Sequence, residues 1–178
     1  MNTLVRRAKR GDTDAFAQLI TQYTSDMYKV ARGILNNNED VADAIQNTIL
    51  VCFEKLETLK QPRYFKTWMI RILINECNQI IRKYGNQCLL EEFPEIPDKD
   101  TAIEYVEFQQ LLGALDEKYR LILILYYAEG FKVSEIAKML DLKEGTVKTR
   151  LYRGRESLAK EYGYDSEKAE IVRFQKEA

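Results

Sequence analysis

SEIAKMLDLKEGTVKTRLYRGRESLAKE, residues Ser134–Glu161, holds a short amphipathic segment, a break at Asp141-Leu142-Lys143 and a longer basic segment from Glu144. In the first segment Ile136, Ala137 and Leu140 share one helical face, and small Ala137 permits close approach of a second helix. In the second, a turn of about 100° per residue from Gly145 places Val147, Leu151 and Leu158 on one apolar stripe. Thr149, Arg153, Thr146 and Tyr152 then point the other way, with Lys148, Arg150 and Arg155 flanking both edges. Short helix, tight connection and longer basic helix is the layout of a helix-turn-helix. An arginine, a threonine and an aromatic facing outward suit the major groove, where arginine grips guanine and a hydroxyl or ring meets a base edge or thymine methyl. The rim cations suit phosphates. A solvated basic helix is the alternative for such a segment alone; the SEIAKML piece before it favours the groove-reading helix.

Outward from there, nearly everything reads as helix, because no useful stretch alternates with period two. Asp14–Leu35 carries Phe16, Leu19, Ile20, Tyr23, Met27 and Val30 at helical spacing, and Asn36-Asn37-Asn38 interrupts it. Glu39 and Asp40 open a helix to about Leu56, Pro62 marks a turn, and Phe65–Tyr84 form the next helix. Helices are expected over Ala102–Leu115 and, capped by Asp116, over Glu117–Ala128. Pro94 and Pro97 fall in an acidic, unperiodic stretch, Gly85–Asp100, which reads as a linker or, alternatively, a surface loop within one domain. The expectation is an all-α chain of two small domains: 1–84, an acidic linker 85–101, 102–161, and a tail 162–178.

Composition excludes much chemistry. No histidine occurs among the 178 residues, so imidazole catalysis and histidine-ligated metals are out. Three cysteines, Cys52, Cys77 and Cys88, lack CxxC spacing and suit a reduced compartment. No phosphate-binding glycine loop or nucleophile elbow is present. No apolar run is long enough to span a membrane, and the basic start is not followed by a signal-peptide core. Neither enzyme activity nor a cofactor is expected.

Net charge is −1, but it is segregated. Residues 1–88 carry 13 Lys and Arg against 9 Asp and Glu, residues 89–107 carry 1 against 7, and Lys143–Arg155 alone carries 5 against 1. Two basic surfaces therefore flank an acidic middle, an electrostatic footprint for phosphates. In the first half, large residues of the FKTW segment (Phe65–Trp68) and after it belong mostly to a core, with Trp68 expected to pack inside. The same helix carries a polar face of Lys66, Arg71, Asn75, Gln79 and Arg82. Cations and amides beside rings suit an unpaired strand: bases stack, phosphates pair, and an amide reads a splayed base.

LDEKYRLILILYYAEGFKVSEIAKMLDLKEGTVKTRLYRGRESL (Leu115–Leu158) resembles region 4 of the extracytoplasmic-function group of bacterial sigma factors, although similar helix-turn-helices end LuxR-type response regulators. GDTDAFAQLITQY, DVADAIQNTI and LETLKQPRYFKTWMIRILINECNQIIRK resemble region 2 of the same group, in the expected order. The resemblance implies a factor that grips the clamp helices of the largest RNA polymerase subunit and the flap of the second largest. It implies that region 2 captures flipped bases of the promoter −10 element and region 4 reads the −35 element. It places Asp43, Gln46, Asn47 and Leu50 on the polymerase, with Asn47 where an acidic residue is usual. It assigns the loop Glu57–Tyr64 to the pocket of a flipped base, and Arg63, Lys66, Trp68, Arg71, Asn75 and Gln79 to the −10 strand. Thr146, Lys148, Thr149, Arg150, Tyr152, Arg153 and Arg155 fall to the −35 element. It further implies a cytoplasmic protein restrained by an anti-sigma factor, with no small-molecule substrate. Two rivals are a regulator that uses only its C-terminal half and an antagonist that mimics sigma. The first is opposed by the FKTW helix and the lack of an acidic receiver pocket; the second has no need of an exposed Thr149/Arg153 pair.

Overall fold

The computed structural model describes residues 2–84 and 115–161. The expected linker, the tail and nearly all of the helix expected over Ala102–Leu115 lie outside the described residues. The chain divides into two compact units, Met1–Glu92 and Phe93–Ala178. Every regular element among the described residues is helical.

The first unit opens with α1, Asn2–Ala8, a helix that periodicity did not single out. Gly11 ends it at φ +87°, a left-handed conformation natural to glycine, and Asp12 starts α2 (Thr13–Arg32) by accepting the Ala15 amide at 2.9 Å. Arg7 closes the corner with an ion pair to Asp12 at 2.8 Å. The α2 helix stops three residues before the expected Leu35. Gly33 bonds back to the Lys29 and Val30 carbonyls, while Ile34 and Leu35 stay buried in the tightened turn, so apolar spacing outlasts the helix. Arg32 donates to the Asn36 carbonyl at 2.5 Å, and Asn37 caps α3 (Asn38–Lys55) through the Glu39 amide. Two 3-10 turns, Leu56–Thr58 and Pro62–Tyr64, lead into α4, Phe65–Tyr84. The helices α2, α3 and α4 pack on one another, and α1 lies against α2 and the Pro62–Tyr64 turn. Leu19, Met27, Phe65, Met69, Ile70 and Leu73 form the centre of that core.

In the second unit Asp116 caps α5, Glu117–Leu123, as its position suggested. The rest of the expected Glu117–Ala128 helix widens into a π turn, Ile124–Ala128, closed by the Glu129 amide on the Ile124 carbonyl. Gly130, at φ +71°, then ends the segment. The next helix, α6 (Val133–Met139), starts with the Glu135 carboxylate accepting the Lys132 amide at 3.0 Å. The tight connection is made by Asp141 at φ +53°, one of the few residue types that enters this region at low cost. The Leu142 amide returns to the Ala137 carbonyl at 2.9 Å, and α7 runs from Glu144 to Glu161. It packs on both α5 and α6. Gly154 permits the α5 contact: a Cβ there would sit 3.0 Å from Leu123 Cδ1 and 3.3 Å from Tyr119 Cβ.

Candidate nucleic-acid interface

Helix α7 is rotated as its sequence demands. Val147, Leu151 and Gly154 are buried, Leu158 is half-buried, and Lys148, Thr149, Tyr152 and Arg153 are exposed. A groove of about 530 Å³ runs along the outward face, lined by Thr146, Thr149, Arg150 and Arg153 of α7 together with Lys118, Tyr119, Lys143 and Gly145. Five cationic or aromatic side chains therefore surround two hydroxyls and the backbone of Gly145. The Thr149 hydroxyl donates to the Gly145 carbonyl at 2.9 Å. Its proton is thereby committed, and the oxygen faces the groove as an acceptor suited to an exocyclic base amine.

Lys118 and Tyr119 are additions that helical spacing on α7 could not reveal. Lys118 Nζ lies 2.5 Å from Asp116 Oδ2 and 5.0 Å from the centre of the Tyr119 ring. The hydrogen bond from Lys118 holds Asp116 below its ordinary carboxylate range, and the same bond raises Lys118 despite the opposing charge of Arg150. The ammonium is thus fully charged at neutral pH. Arg155 takes a different direction from the groove residues, donating to the Tyr127 hydroxyl at 3.4 Å. Neither it nor Lys148 and Tyr152 lines the groove; the last is 62% exposed beside it.

On α4, Trp68, Arg71, Asn75 and Gln79 follow one another at spacings of three and four, and Arg71, Asn75 and Gln79 are exposed. Trp68 is half-buried rather than inside: its ring lies 6.0 Å from that of Phe65, which takes the core position against Tyr23. Lys66 leaves this stripe to pair with Asp26 of α2 at 2.9 Å. Gln79 donates to Glu76 at 3.1 Å. At the head of the helix the Arg63 guanidinium sits 4.7 Å over the exposed Tyr64 ring. Cations, rings and amides are thus exposed, in whole or in part, at the head of α4 and along it.

Asp43, Gln46, Asn47 and Leu50 are all exposed on α3 at helical spacing, with Leu50 60% exposed. Phe53 continues that face by one turn at 56% exposure, its ring edge-on to Phe16 at 5.2 Å. An aliphatic and an aromatic residue thus stand exposed together on this face of α3. The signal for Phe53 was its position three after Leu50.

Sigma-70 region 2 matches residues 19–87, and sigma-70 region 4 matches residues 105–158. The chain belongs to the extracytoplasmic-function group of the sigma-70 family. It is 31% identical over 137 residues to RNA polymerase sigma factor SigV of Bacillus subtilis, covering 75% of this chain and 82% of that one. To ECF RNA polymerase sigma factor SigW of the same organism it is 29% identical over 175 residues, with 88% and 94% covered. Among solved structures, CnrH in complex with the cytosolic domain of CnrY is similar at TM-score 0.68 and 25% identity, covering 93% of this chain and 98% of that one. Sigma factor RpoE of Bartonella quintana, solved with the anti-sigma factor NepR, shares the fold at TM-score 0.73 and 23% identity, with 84% and 98% covered. Within this sigma factor, the groove of α7 falls in the region 4 match and the α3 and α4 surfaces fall in the region 2 match.

Proposed function

We propose that this sigma factor binds core RNA polymerase through the α3 face and directs initiation at a limited set of promoters. The α7 groove reads the −35 duplex, and the α4 face with the Glu57–Tyr64 loop captures the opened −10 strand. The work is recognition and strand capture with no covalent step, carried out in the cytoplasm. The observation that carries this reading is that one chain presents both a basic helix with a cation-lined outward groove and an exposed cation–ring–amide face, the first suited to a duplex and the second to unpaired bases. An anti-sigma partner is proposed because CnrH, a relative by structure, was solved bound to the cytosolic domain of CnrY.

Asn75→Ala tests the assignment. Its side chain is exposed on α4, so the variant should fold, keep polymerase affinity and keep −35 binding. Loss of hydrogen bonds to an extruded base lowers open-complex formation by tenfold to a hundredfold, about 1–3 kcal/mol. Permanganate reactivity of the −10 segment in the holoenzyme reads this directly. Reactivity equal to wild type, with normal transcription, removes Asn75 and the α4 face from strand capture.

A further inference from the structure

The segment between the two 3-10 turns has an unusual support. Leu59 and Gln61 are extended, at φ −67°, ψ 106° and φ −129°, ψ 120°, yet no strand runs beside them among the described residues. Backbone carbonyls in such a stretch need a partner from a side chain or from water. Lys9, fifty residues earlier, supplies one: its Nζ donates to the Leu59 carbonyl at 2.6 Å in a half-buried setting. Bonds of this kind, with a charged donor, are shorter and stronger than neutral ones.

Lys9 is itself well fixed. It lies in the corner after α1, where the Gly11 amide returns to the Ala8 carbonyl at 3.0 Å and the Asp12 amide to the Arg7 carbonyl at 3.3 Å. The Arg7–Asp12 ion pair locks that corner from outside, and Val5 and Ala8 anchor α1 in the core. On the loop side, packing is incomplete. A cleft of about 130 Å³ opens between Lys9, Phe53, Leu56 and Glu57, so the start of the loop is not backed by continuous side chains there. The loop bears Arg63 and Tyr64 at its far end, on the turn against which α1 rests.

We infer that Lys9 is a positioning residue: by holding the Leu59 carbonyl it sets the shape of the Glu57–Tyr64 loop, and thereby which extruded base the loop prefers. The inference rests on the proposal that this loop lines the pocket for a −10 base. Lys9 itself touches no DNA in this scheme. Its ammonium is spent on the backbone, and its effect reaches the base only through the loop.

The test uses the full chain assembled with core polymerase on promoters in which each −10 base is varied singly, ranked by open-complex formation. Lys9→Met keeps the aliphatic stem and removes the donor; it is expected to flatten the ranking at one position by about fivefold, the worth of one lost hydrogen bond. Lys9→Arg, which can donate to the same carbonyl, is expected to keep the ranking. Affinity for polymerase and for −35 duplex should stay at wild-type values in both. A merely structural lysine would lower thermal stability and output on every promoter in parallel, and an unchanged ranking in Lys9→Met overturns the inference. So does an Arg variant that flattens the ranking as Met does. An Arg63→Ala, Tyr64→Ala double variant separates the two layers. If it flattens the ranking while Lys9→Met does not, the loop reads the base without help from Lys9. If it leaves the ranking intact, the loop reads no base and both ideas fall. Should Lys9→Met not fold by circular dichroism, Lys9→Leu, which likewise has no donor, replaces it.

Discussion

Arg153 and Lys148 sit five residues apart on α7 and both are exposed, yet they face different parts of a duplex. Arg153 lines the groove opposite the buried Val147 and Leu151, so it can meet a base edge with two parallel hydrogen bonds. Lys148 stands outside the groove lining, beside the buried stripe, where a long cation reaches sideways to the backbone. Arg153→Ala should therefore relax preference at one or two −35 positions, by about 1–3 kcal/mol per contact, while Lys148→Ala weakens every sequence alike. Affinities of each variant for single-base −35 variants at fixed salt decide the matter. If Arg153→Ala lowers all of them in parallel, the arginine is a backbone clamp and discrimination rests on Thr149 and Tyr152. This rotation was legible from the sequence because three apolar residues at helical spacing leave only one way to orient the helix. Lys118 and Tyr119 were not legible. They reach the groove by tertiary packing, which no local period encodes.

At the scale of elements the deciding feature is the close crossing of α5 and α7. Alanine in a helix is ordinarily better than glycine by nearly 1 kcal/mol, yet the two glycines of α7 should respond with opposite signs. At Gly154 the added methyl meets Leu123, a fully buried side chain, and the Cβ of Tyr119, which cannot rotate away. Overpacking of this sort costs about 1–3 kcal/mol and exceeds the gain in propensity, so Gly154→Ala should destabilise the unit by about 1 kcal/mol. At Gly145 nothing lies within 4 Å, and Gly145→Ala should stabilise by about 0.5 kcal/mol, less than the full propensity because the site is in the first turn. Denaturant midpoints at unchanged slope measure both. A stabilised Gly154→Ala would mean that Leu123 can yield, and that the crossing is looser than its 3.0 Å approach implies. Helix α1 escaped the sequence reading for a related reason. Seven residues with two buried side chains make too short a stripe to stand out, and its end is set by Gly11 and Asp12, which turn the chain into α2. The end of α2 was misjudged because Ile34 and Leu35 extend the apolar spacing past the glycine that stops the backbone.

For the whole molecule the formal charge of −1 predicts no attraction to DNA, and the arrangement of that charge predicts the contrary. Acidic residues concentrate in 89–107, while Lys118, Lys143 and Arg150 line the groove and Lys148 stands beside it. Four phosphate contacts from these cations give a slope of log affinity against log salt of roughly −4 for the full chain on −35 duplex. Removing one counted cation should reduce that slope by about 1, so Lys118→Ala should bring it to roughly −3. Arg155→Ala should leave the slope where it was, because that guanidinium is turned to the Tyr127 hydroxyl and lies off the groove. The contrast separates the structure from the sequence pattern, which counted Arg155 among the phosphate contacts and had no reason to include Lys118. A fluorescence titration at several salt concentrations supplies all three slopes. If Arg155→Ala lowers the slope and Lys118→Ala does not, the duplex lies on the other edge of α7, and the groove built with α5 is not where DNA runs. If the wild-type slope is near zero, the cations of this unit meet no phosphate, and its role in reading the −35 element is lost.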